Sequence, residues 1–361
     1  MSKKVLVLGA SGVVGSASVE RFADQGWEVV AGSRRTSQFV DPSTYTFVPI
    51  DLTSAEETRA AIAQNPDITH VVYSALYEMP GLISGWQNEQ QIATNRTMLS
   101  NLLDAIDAAG IQLEHISILQ GTKAYGVHVQ AMRIPAKESQ PRVEHRNFYW
   151  EQEDLIREWA PQHGTAWTIF RPQFIFGLST GATMNLIPII GLYAAIRRHQ
   201  GFDFAFPGGA SYVAEGVDAR LMARALEWAA TAPTARNETF NITNGDVFEW
   251  RDLWPALAGA MGVEPGPDSP LQIAEWLLEQ EETWAEIVAQ HDLQPTTIAE
   301  LVGESHHYAD FAFAYGSDGR NSSPAFVSTV KLRQAGFTDT VDTEQMFVEL
   351  LQGLRKHRIL P

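Results

Sequence analysis

The stretch Val5-Leu6-Val7-Leu8-Gly9-Ala10-Ser11-Gly12-Val13-Val14-Gly15 decides the fold of this 361-residue chain. Its first four residues are apolar, which is typical of a parallel strand that is buried on both faces. The GxxGxxG spacing allows a tight turn, close approach of a pyrophosphate, and close packing of a helix on the strand. The helix that begins there offers unpaired N–H groups to an anion. We therefore predict a dinucleotide-binding turn, and its residues are Gly9, Ser11, Gly12, Val13, Val14 and Gly15.

Outward from this turn, apolar runs alternate with amphipathic stretches through the first half of the chain. Further strands are predicted at 27–32, 46–50, 69–73, 113–119 and 167–170. Helical stretches are predicted up to residue 25, from residue 54, and at 88–109 and 151–159. This alternation predicts right-handed βαβ units, and hence an α/β fold with a Rossmann-type doubly wound parallel sheet.

The end of the second predicted strand indicates which nicotinamide cofactor is bound. An acidic residue there would hold a ribose 2′-hydroxyl and select NAD, whereas this chain has Ser33-Arg34-Arg35. Two guanidinium groups and a hydroxyl suit a 2′-phosphate, so we predict NADP(H). Solvated surface arginines are the alternative. Regularity fades after Pro172, so we expect residues 1–172 to form the NADP-binding Rossmann domain. Residues 173–361 are expected to form mainly a smaller helical substrate lobe that partly returns to the main sheet.

Two further strand ends are predicted to border the cofactor. Asp51-Leu52 follows the third strand, where an adenine would lie, and Asp51 could equally cap the next helix. Ser74-Ala75-Leu76 follows the fourth strand with small residues first, which allows close passage of a cofactor. Ordinary packing would explain those small residues nearly as well.

The composition of the chain excludes several classes of binding partner and indicates where the protein is located. The formal net charge of −17 disfavours nucleic acid and anionic membranes. The chain has no Cys, and its ten His include no HExxH pair, so no metal site is predicted. The longest apolar run, 186–196, is too short to span a bilayer, and residues 1–4 lead into a strand without a signal peptide. We expect a cytoplasmic protein without a membrane segment; a homodimer stays open.

The residues that would carry a reaction do not follow the commonest pattern of this fold. Many such enzymes have a Tyr and a Lys four residues apart on one helix, but position 153 after Tyr149 is Glu, and position 129 after Tyr125 is Val. Lys123 follows the fifth strand at the carboxyl edge of the sheet, and Tyr149 opens the next helix. We expect folding to bring Lys123 and Tyr149 together. Core packing of Tyr149 and solvent exposure of Lys123 are the alternatives.

Several segments resemble the progesterone 5β-reductase and iridoid synthase family of atypical extended short-chain dehydrogenases. They are the glycine turn, 33–35, Gly121-Thr122-Lys123-Ala124-Tyr125, Asn147-Phe148-Tyr149-Trp150, 171–177, 206–208, 240–245 and 250–254. The resemblance implies NADPH-dependent reduction of the C=C bond of an α,β-unsaturated carbonyl, with hydride added to the β-carbon. It also implies that Tyr149 stabilises the enolate oxygen and that Lys123 supports Tyr149.

The resemblance further suggests which residues contact the ligands. Lys123, Tyr149 and Ile175 are expected beside the cofactor, and Tyr149, Phe174 and Phe206 beside a small apolar enone or enal. Ala124, Val127 and Trp150 depart from the family's His, Pro and Tyr, so the substrate, the stereochemistry and the pathway stay open. Two other functions also stay open. One is a carbonyl reductase or sugar-nucleotide-modifying enzyme of the same fold, and the other is a regulatory protein that senses NADPH without catalysis.

Overall fold

The computed structural model describes residues 3–318 and 324–361. Residues 1 and 2 belong to the N-terminal segment that was expected to lack a signal peptide, and they lie outside the described residues. Its strands are β1 (Lys4–Leu8), β2 (Glu28–Ser33), β3 (Thr46–Pro49), β4 (His70–Tyr73), β5 (His115–Leu119), β6 (Ala166–Pro172), β7 (Phe174–Phe176), β8 (Phe204–Ala205), β9 (Val213–Ala214), β10 (Gly216–Asp218), β11 (Glu238–Ile242), β12 (Phe248–Glu249) and β13 (Pro265–Gly266). Its helices are α1 (Val13–Asp24), α2 (Ala55–Ala63), α3 (Glu89–Ala109), α4 (Phe148–His163), α5 (Leu186–His199), α6 (Ala219–Thr231), α7 (Trp250–Met261), α8 (Ile273–Trp276), α9 (Glu281–Gln290), α10 (Ile298–Val302), α11 (Ser305–Ala312), α12 (Val330–Gln334) and α13 (Thr343–Lys356).

The predicted Rossmann-type parallel sheet is confirmed. Seven strands lie in the order β11-β6-β5-β4-β1-β2-β3, and every pairing in this sheet is parallel. After β1 the chain adds β2 and β3 on one side, and it then adds β4, β5 and β6 on the other side. The boundary between β1 and β4 is therefore the switch point at which such sheets bind ligands. One of the two edge strands, β11, comes from the second half of the chain and pairs with β6.

Alternating side chains of β1 explain why helices cover both faces of the sheet. Val5 and Val7 pack in a core with α1 and α6, whereas Leu6 and Leu8 pack in a second core with α2, α3 and α4. Because a strand side chain points to the face opposite its neighbour's, a wholly apolar strand must be buried on both faces. The burial of all five residues of β1 agrees with this requirement.

A third core holds the helical lobe together. It is built around α5, whose residues Leu186 to Ile196 are all buried, and around aromatic side chains of α7 and α9. The apolar run that stood out in the sequence is therefore an interior helix of this lobe. Among the described residues, no helix combines the length and the apolar character that crossing a membrane would need.

The helix that carries Tyr149 begins earlier than the sequence pattern predicted. The helical pattern was expected from residue 151, although Tyr149 was also placed at the opening of this helix. In the structure α4 begins at Phe148, with the Asn147 side chain accepting a hydrogen bond of 3.0 Å from Tyr149 N. Asparagine is a favourable N-cap because its side-chain oxygen satisfies an otherwise unpaired amide of the first turn. The cap places Tyr149 at the second position of the helix.

Candidate active site

The glycine turn packs this closely against its neighbours only because Gly9 and Gly15 lack side chains. Gly9 has a φ of +79°, and a Cβ atom on it would lie 2.8 Å from Ala75 N. A Cβ atom on Gly15 would lie 2.0 Å from Gly9 O. Gly12 donates a hydrogen bond of 2.9 Å to Gly9 O, which closes the turn. The turn thus brings backbone and helix together as closely as a dinucleotide site requires.

The N-terminus of α1 is suited to an anion. Gly12 is its N-cap, no side chain caps the helix, and its first turn contains no acidic residue. The amides of Val13 and Val14 lie in the first turn, where no intrahelical acceptor exists. Ser11 O accepts a hydrogen bond of 3.3 Å from Ser179 Oγ of the loop after β7, so this loop borders the turn. These features fit the pyrophosphate of a bound dinucleotide.

The two arginines after β2 have different surroundings. Arg35 Nη2 donates a hydrogen bond of 2.6 Å to Thr180 O, and the Arg35 carbonyl accepts one of 2.6 Å from Ser33 Oγ. Arg34 is exposed and makes no hydrogen bond or ion pair with any part of the chain that the structure describes. Its guanidinium group is therefore available for a 2′-phosphate, whereas that of Arg35 joins β2 to the loop after β7.

Asp51 does not cap α2. Its Oδ1 accepts hydrogen bonds from Thr53 N at 2.9 Å and Thr53 Oγ1 at 2.7 Å, while Ser54 Oγ caps α2 by accepting from Glu57 N. These bonds to Thr53, with a smaller contribution from the charge of Arg34, lower the pKa of Asp51. Leu52 is buried in the core beneath α2 and α3. Asp51 therefore stays a charged group beside Arg34.

The segment after β4 lies close in space to the glycine turn. Ser74 Oγ donates a hydrogen bond of 2.7 Å to Leu8 O, and the backbone of Ala75 faces Gly9. Leu76 is more open, with 37% of its surface exposed. Asn95 of α3 accepts from Tyr77 N at 3.0 Å and donates to Tyr77 O at 2.8 Å, so it fixes the next residue of this segment. Asn95 thus has a structural role at this edge of the site.

Lys123 and Tyr149 line the same cavity of about 510 Å³, together with Phe174 and Ile175. This volume falls within the range of small-molecule sites, roughly 300–1,000 Å³. Much of the remaining wall is aromatic or apolar and comes from both halves of the chain, including Trp86, Met184, Tyr212, Tyr308 and Phe311. The cavity lies where β5, β6 and β7 end or begin, at the ligand-binding edge of the sheet.

Phe206 does not contribute to this cavity, contrary to the expectation for a substrate residue. Only 2% of its surface is exposed, and its ring lies 5.1 Å from that of Trp254 and 5.8 Å from that of Phe313. Phe206 follows the short strand β8, which packs against α5, and Trp254 of α7 stacks on Phe204 of this strand at 4.4 Å. The aromatic side chain is therefore part of the core of the helical lobe.

One asparagine connects the elements that carry Lys123 and Tyr149. Asn147 Oδ1 accepts from Tyr149 N, and Asn147 Nδ2 donates a hydrogen bond of 3.1 Å to Lys123 O. Lys123 itself lies in a short 3-10 turn, Thr122–Tyr125, directly after β5. Its Nζ atom is 5.7 Å from the centre of the Tyr149 ring. The two predicted side chains are thus brought together although 26 residues separate them.

The Tyr149 hydroxyl faces the loop that follows β5. A Cβ atom on Gly121 would lie 3.2 Å from Tyr149 OH, so glycine leaves the hydroxyl accessible from that loop. Burial, with a smaller contribution from the charge of Glu78, raises the pKa of Tyr149 well above its usual value. The hydroxyl is therefore a neutral phenol at physiological pH, a form that can donate a hydrogen bond.

Glu78 is a buried partner of Lys123 that the sequence analysis missed. Its Oε1 lies 3.5 Å from Lys123 Nζ, and its side chain is 0% exposed. Gln91 Nε2 donates to the other carboxylate oxygen, and Gln91 Oε1 accepts from Met79 N at 2.9 Å. Burial raises the pKa of Glu78 and lowers that of Lys123, while each charge opposes the shift of the other. The loop position of Glu78 carries no periodicity or motif that would have revealed this contact.

A second buried network supports Tyr149 from behind. Gln120 Nε2 donates to Tyr149 O at 3.1 Å and to Glu153 Oε2 at 3.0 Å. Arg171 Nε donates to Gln120 Oε1 at 2.8 Å, and Arg171 Nη2 donates to Glu153 Oε2 at 3.1 Å. The bonds of Gln120 and Arg171 fix the backbone of Tyr149 relative to β5 and β6. Tyr125 is buried nearby, where its hydroxyl donates to Asn241 Oδ1 at 2.6 Å.

The comparisons with known proteins agree with this architecture. Residues 5–243 match the model of the NAD dependent epimerase/dehydratase family. The chain is 33% identical to 3-oxo-Delta(4,5)-steroid 5-beta-reductase of Arabidopsis thaliana and 30% identical to (S)-8-oxocitronellyl enol synthase of Antirrhinum majus. Each match covers 99% of this chain and 92% of the relative. Among solved structures, UDP-glucose 4-epimerase of Thermotoga maritima superposes with a TM-score of 0.67 at 17% identity, over 98% of this chain and 99% of that one.

The structural likeness shows the shared fold, and the sequence matches show the family. The glycine turn, the sheet order and the full-length identity agree with one another, and the resemblance inferred from the motifs is confirmed. The chain belongs to the NAD dependent epimerase/dehydratase family, together with its relatives the (S)-8-oxocitronellyl enol synthases and 3-oxo-Delta(4,5)-steroid 5-beta-reductases.

Proposed function

We propose that this protein is an NADPH-dependent oxidoreductase that reduces the C=C bond of an α,β-unsaturated ketone or aldehyde. The observation that carries the proposal is the meeting of Lys123 and Tyr149 in one cavity at the ligand-binding edge of the sheet. The names of the relatives support the same class, since one is a reductase of a 3-oxo-Δ4,5 steroid, which is an enone. NADPH supplies a hydride when it is bound.

The chain's own residues would hold the cofactor by backbone and charge. The amides of Val13 and Val14 face the position of a pyrophosphate, and Arg34 is available for the 2′-phosphate. Ser74, Ala75 and Ile175 border the path between the glycine turn and the cavity. Asp51 and Leu52 are proposed to border the adenine.

Tyr149 would act on the substrate carbonyl. Its neutral hydroxyl donates a hydrogen bond to the carbonyl oxygen, where negative charge develops as hydride reaches the β-carbon. Such a bond accelerates the reaction because it is stronger in the transition state than in the ground state. Lys123 would support this arrangement electrostatically, since its ammonium group lies 5.7 Å from the centre of the Tyr149 ring. Phe174 packs beside the substrate position, with its ring 5.7 Å from that of Tyr308.

The test is cofactor oxidation with paired substrates. NADPH and NADH consumption are measured with cyclic and open-chain enones and with the corresponding saturated ketones and aldehydes. Turnover of the enones that prefers NADPH supports the proposal. Turnover of the saturated carbonyl compounds alone would assign carbonyl reduction instead. Cofactor binding without turnover of any substrate would favour a protein that senses NADPH.

Three finer statements belong to the same proposal. We assign cofactor binding to residues 1–172 and mainly substrate binding to residues 173–361, and the separate buried core around α5, whose residues all lie in the second range, supports this division. We also propose a cytoplasmic location, which cell fractionation would test. A homodimer stays a prediction that light scattering after gel filtration would test.

A further inference from the structure

Glu215 is a buried acidic residue in the wall of the cavity, and the proposed reaction does not use it. Only 9% of its surface is exposed. It lies between β9 and β10, and Gly216 of β10 pairs with Phe174 of β7. This pairing puts Glu215 beside Gln173, which precedes Phe174 and also lines the cavity.

The two oxygens of Glu215 have different partners. Oε2 accepts a hydrogen bond of 2.9 Å from Val327 N and one of 3.4 Å from Gln173 Nε2. Gln173 Nε2 also donates to Ala325 O at 2.6 Å. Over residues 3–318 and 324–361, no hydrogen bond or ion pair to Glu215 Oε1 is found. Oε2 therefore binds the backbone amide of Val327, and Oε1, in the cavity wall, is without a partner among the described residues.

The structural role of Glu215 does not require a carboxylate. A glutamine would accept the Val327 amide equally well through its own oxygen. Burial raises the pKa of Glu215, and the bonds from Val327 and Gln173 oppose that rise only in part. A buried carboxyl group without a cation is costly unless hydrogen bonds compensate it. A ligand that donates a hydrogen bond to Oε1 would supply the missing compensation.

The position of Glu215 in the cavity indicates where that donor lies on the ligand. Lys123 and Tyr149 come from the loop after β5 and from α4, whereas Glu215 and Gln173 come from the strand pair β7 and β10. Aromatic side chains of Tyr212, Tyr308 and Phe311 form part of the same wall. A ligand that contacts both sets of polar groups has its carbonyl at Tyr149 and a separate polar group elsewhere, with an apolar part between them.

We propose that Glu215 and Gln173 form a subsite for a hydroxyl group of the substrate, so that the natural substrate is a hydroxylated enone or enal. This inference rests on the proposed function. A carboxylate oxygen only accepts hydrogen bonds, and the Gln173 amide oxygen is a second acceptor. A hydroxyl group can donate its single hydrogen to either acceptor, whereas an ether has no hydrogen to donate.

The test compares trans-2-enals of several chain lengths, each with either a terminal hydroxyl or a terminal methoxy group, as substrates with NADPH. At the chain length that fits, the wild type is expected to prefer the hydroxyl compound by about tenfold in kcat/KM, the factor that one hydrogen bond to a charged group supplies. In Glu215→Gln the amide presents N–H donors, so the ratio falls towards one. Gln173→Leu lowers the same ratio while the carboxylate stays in place.

Glu138→Gln is the matched control. Glu138 Oε1 also accepts a backbone amide, from Asn241 N at 2.8 Å, but Glu138 does not line the cavity. The Glu138→Gln variant should keep the wild-type ratio of kcat/KM between the hydroxyl and the methoxy compounds. Equal use of hydroxyl and methoxy compounds at every length, or a preference that survives Glu215→Gln, overturns the inference. If the wild type reduces none of these enals or other enones, the proposed function itself fails.

Discussion

The Nζ atom of Lys123 lies 5.7 Å from the centre of the Tyr149 ring, and a single side chain, Asn147, is hydrogen-bonded to the backbone of both residues. A helix can present Tyr and Lys together at a spacing of four residues. Here the same pair is assembled from a turn after β5 and the start of α4. The arrangement therefore depends on the cap of α4 and on tertiary packing.

Removal of the Tyr149 hydroxyl should affect turnover more than cofactor binding. Tyr149→Phe loses the donor to the carbonyl oxygen and keeps the ring, so kcat on enones should fall by about 10²–10³, as for other single donors to a developing oxyanion. Titration of the binding of NADPH by fluorescence should give a nearly unchanged Kd. Unchanged kcat would remove Tyr149 from the mechanism.

The two arginines after β2 should contribute unequally to cofactor choice. Arg34→Ala should raise the KM for NADPH by about tenfold or more, because a charge-assisted hydrogen bond to phosphate is lost, and should leave NADH kinetics nearly unchanged. Arg35→Ala is the comparison, since that guanidinium group is bound to Thr180 O. Steady-state kinetics with both cofactors measures the difference. A larger effect on NADPH selectivity from Arg35→Ala than from Arg34→Ala would contradict the assignment.

Glu78 and Lys123 should be coupled in stability. Glu78→Leu leaves the Lys123 ammonium buried without its carboxylate, and Lys123→Met leaves the carboxylate buried without a cation, so each should cost about 3 kcal/mol in the free energy of unfolding. The double variant should cost clearly less than the sum of the two. Urea denaturation of the four proteins measures this coupling. Additive losses would show that the 3.5 Å contact contributes nothing.

Replacement by alanine should have opposite consequences at two glycines: one replacement should disrupt NADPH binding, and the other should stabilise the fold. Gly15→Ala places a Cβ atom 2.0 Å from Gly9 O, so the turn must shift and NADPH binding should be lost. Gly259 lies on the exposed face of α7, and an added methyl group there would have nothing within 4 Å, so Gly259→Ala should stabilise the fold by about 0.5 kcal/mol. Thermal unfolding with and without NADPH tests both. Normal NADPH binding by Gly15→Ala would refute the close packing of the turn.

Buried His115 should make the protein sensitive to acid. Burial lowers the pKa of His115 to about 3, whereas the unfolded chain titrates near pH ~6.5. Below that pH the unfolded state binds a proton that the folded state does not, so stability is present above pH ~6.5 and is lost as the pH falls, by up to about 1.4 kcal/mol per pH unit. His115→Gln should flatten the slope of unfolding free energy against pH. A slope as steep as that of the wild type would contradict this role of His115.

The sheet was predictable because its signals are local. The glycine turn and the apolar runs around Val5 and Val29 specify strand, turn and helix without reference to distant residues. The last strand, β11, was not identified as a strand because its central residues, Thr239-Phe240-Asn241, mix polar and apolar types. Its place in the sheet depends on pairing with β6, which a single sequence does not display.

The candidate site was predictable in part. Lys123 and Tyr149 were named through the resemblance, and the edge of the sheet explains why they meet. Glu78 and Glu215 were missed because each lies in a loop and contacts residues from a different element. Phe206 was misplaced because an aromatic residue before a Pro-Gly turn can face either a pocket or a core, and only the packing of Trp254 and Phe313 decides between them.

The position to which hydride is transferred tests the central claim most directly. The protein is incubated with an enone and NADPH that is deuterated on the transferred position, and the product is analysed by NMR and mass spectrometry. The account predicts a saturated carbonyl compound with deuterium on the β-carbon. Deuterium on the former carbonyl carbon of an allylic alcohol would contradict it.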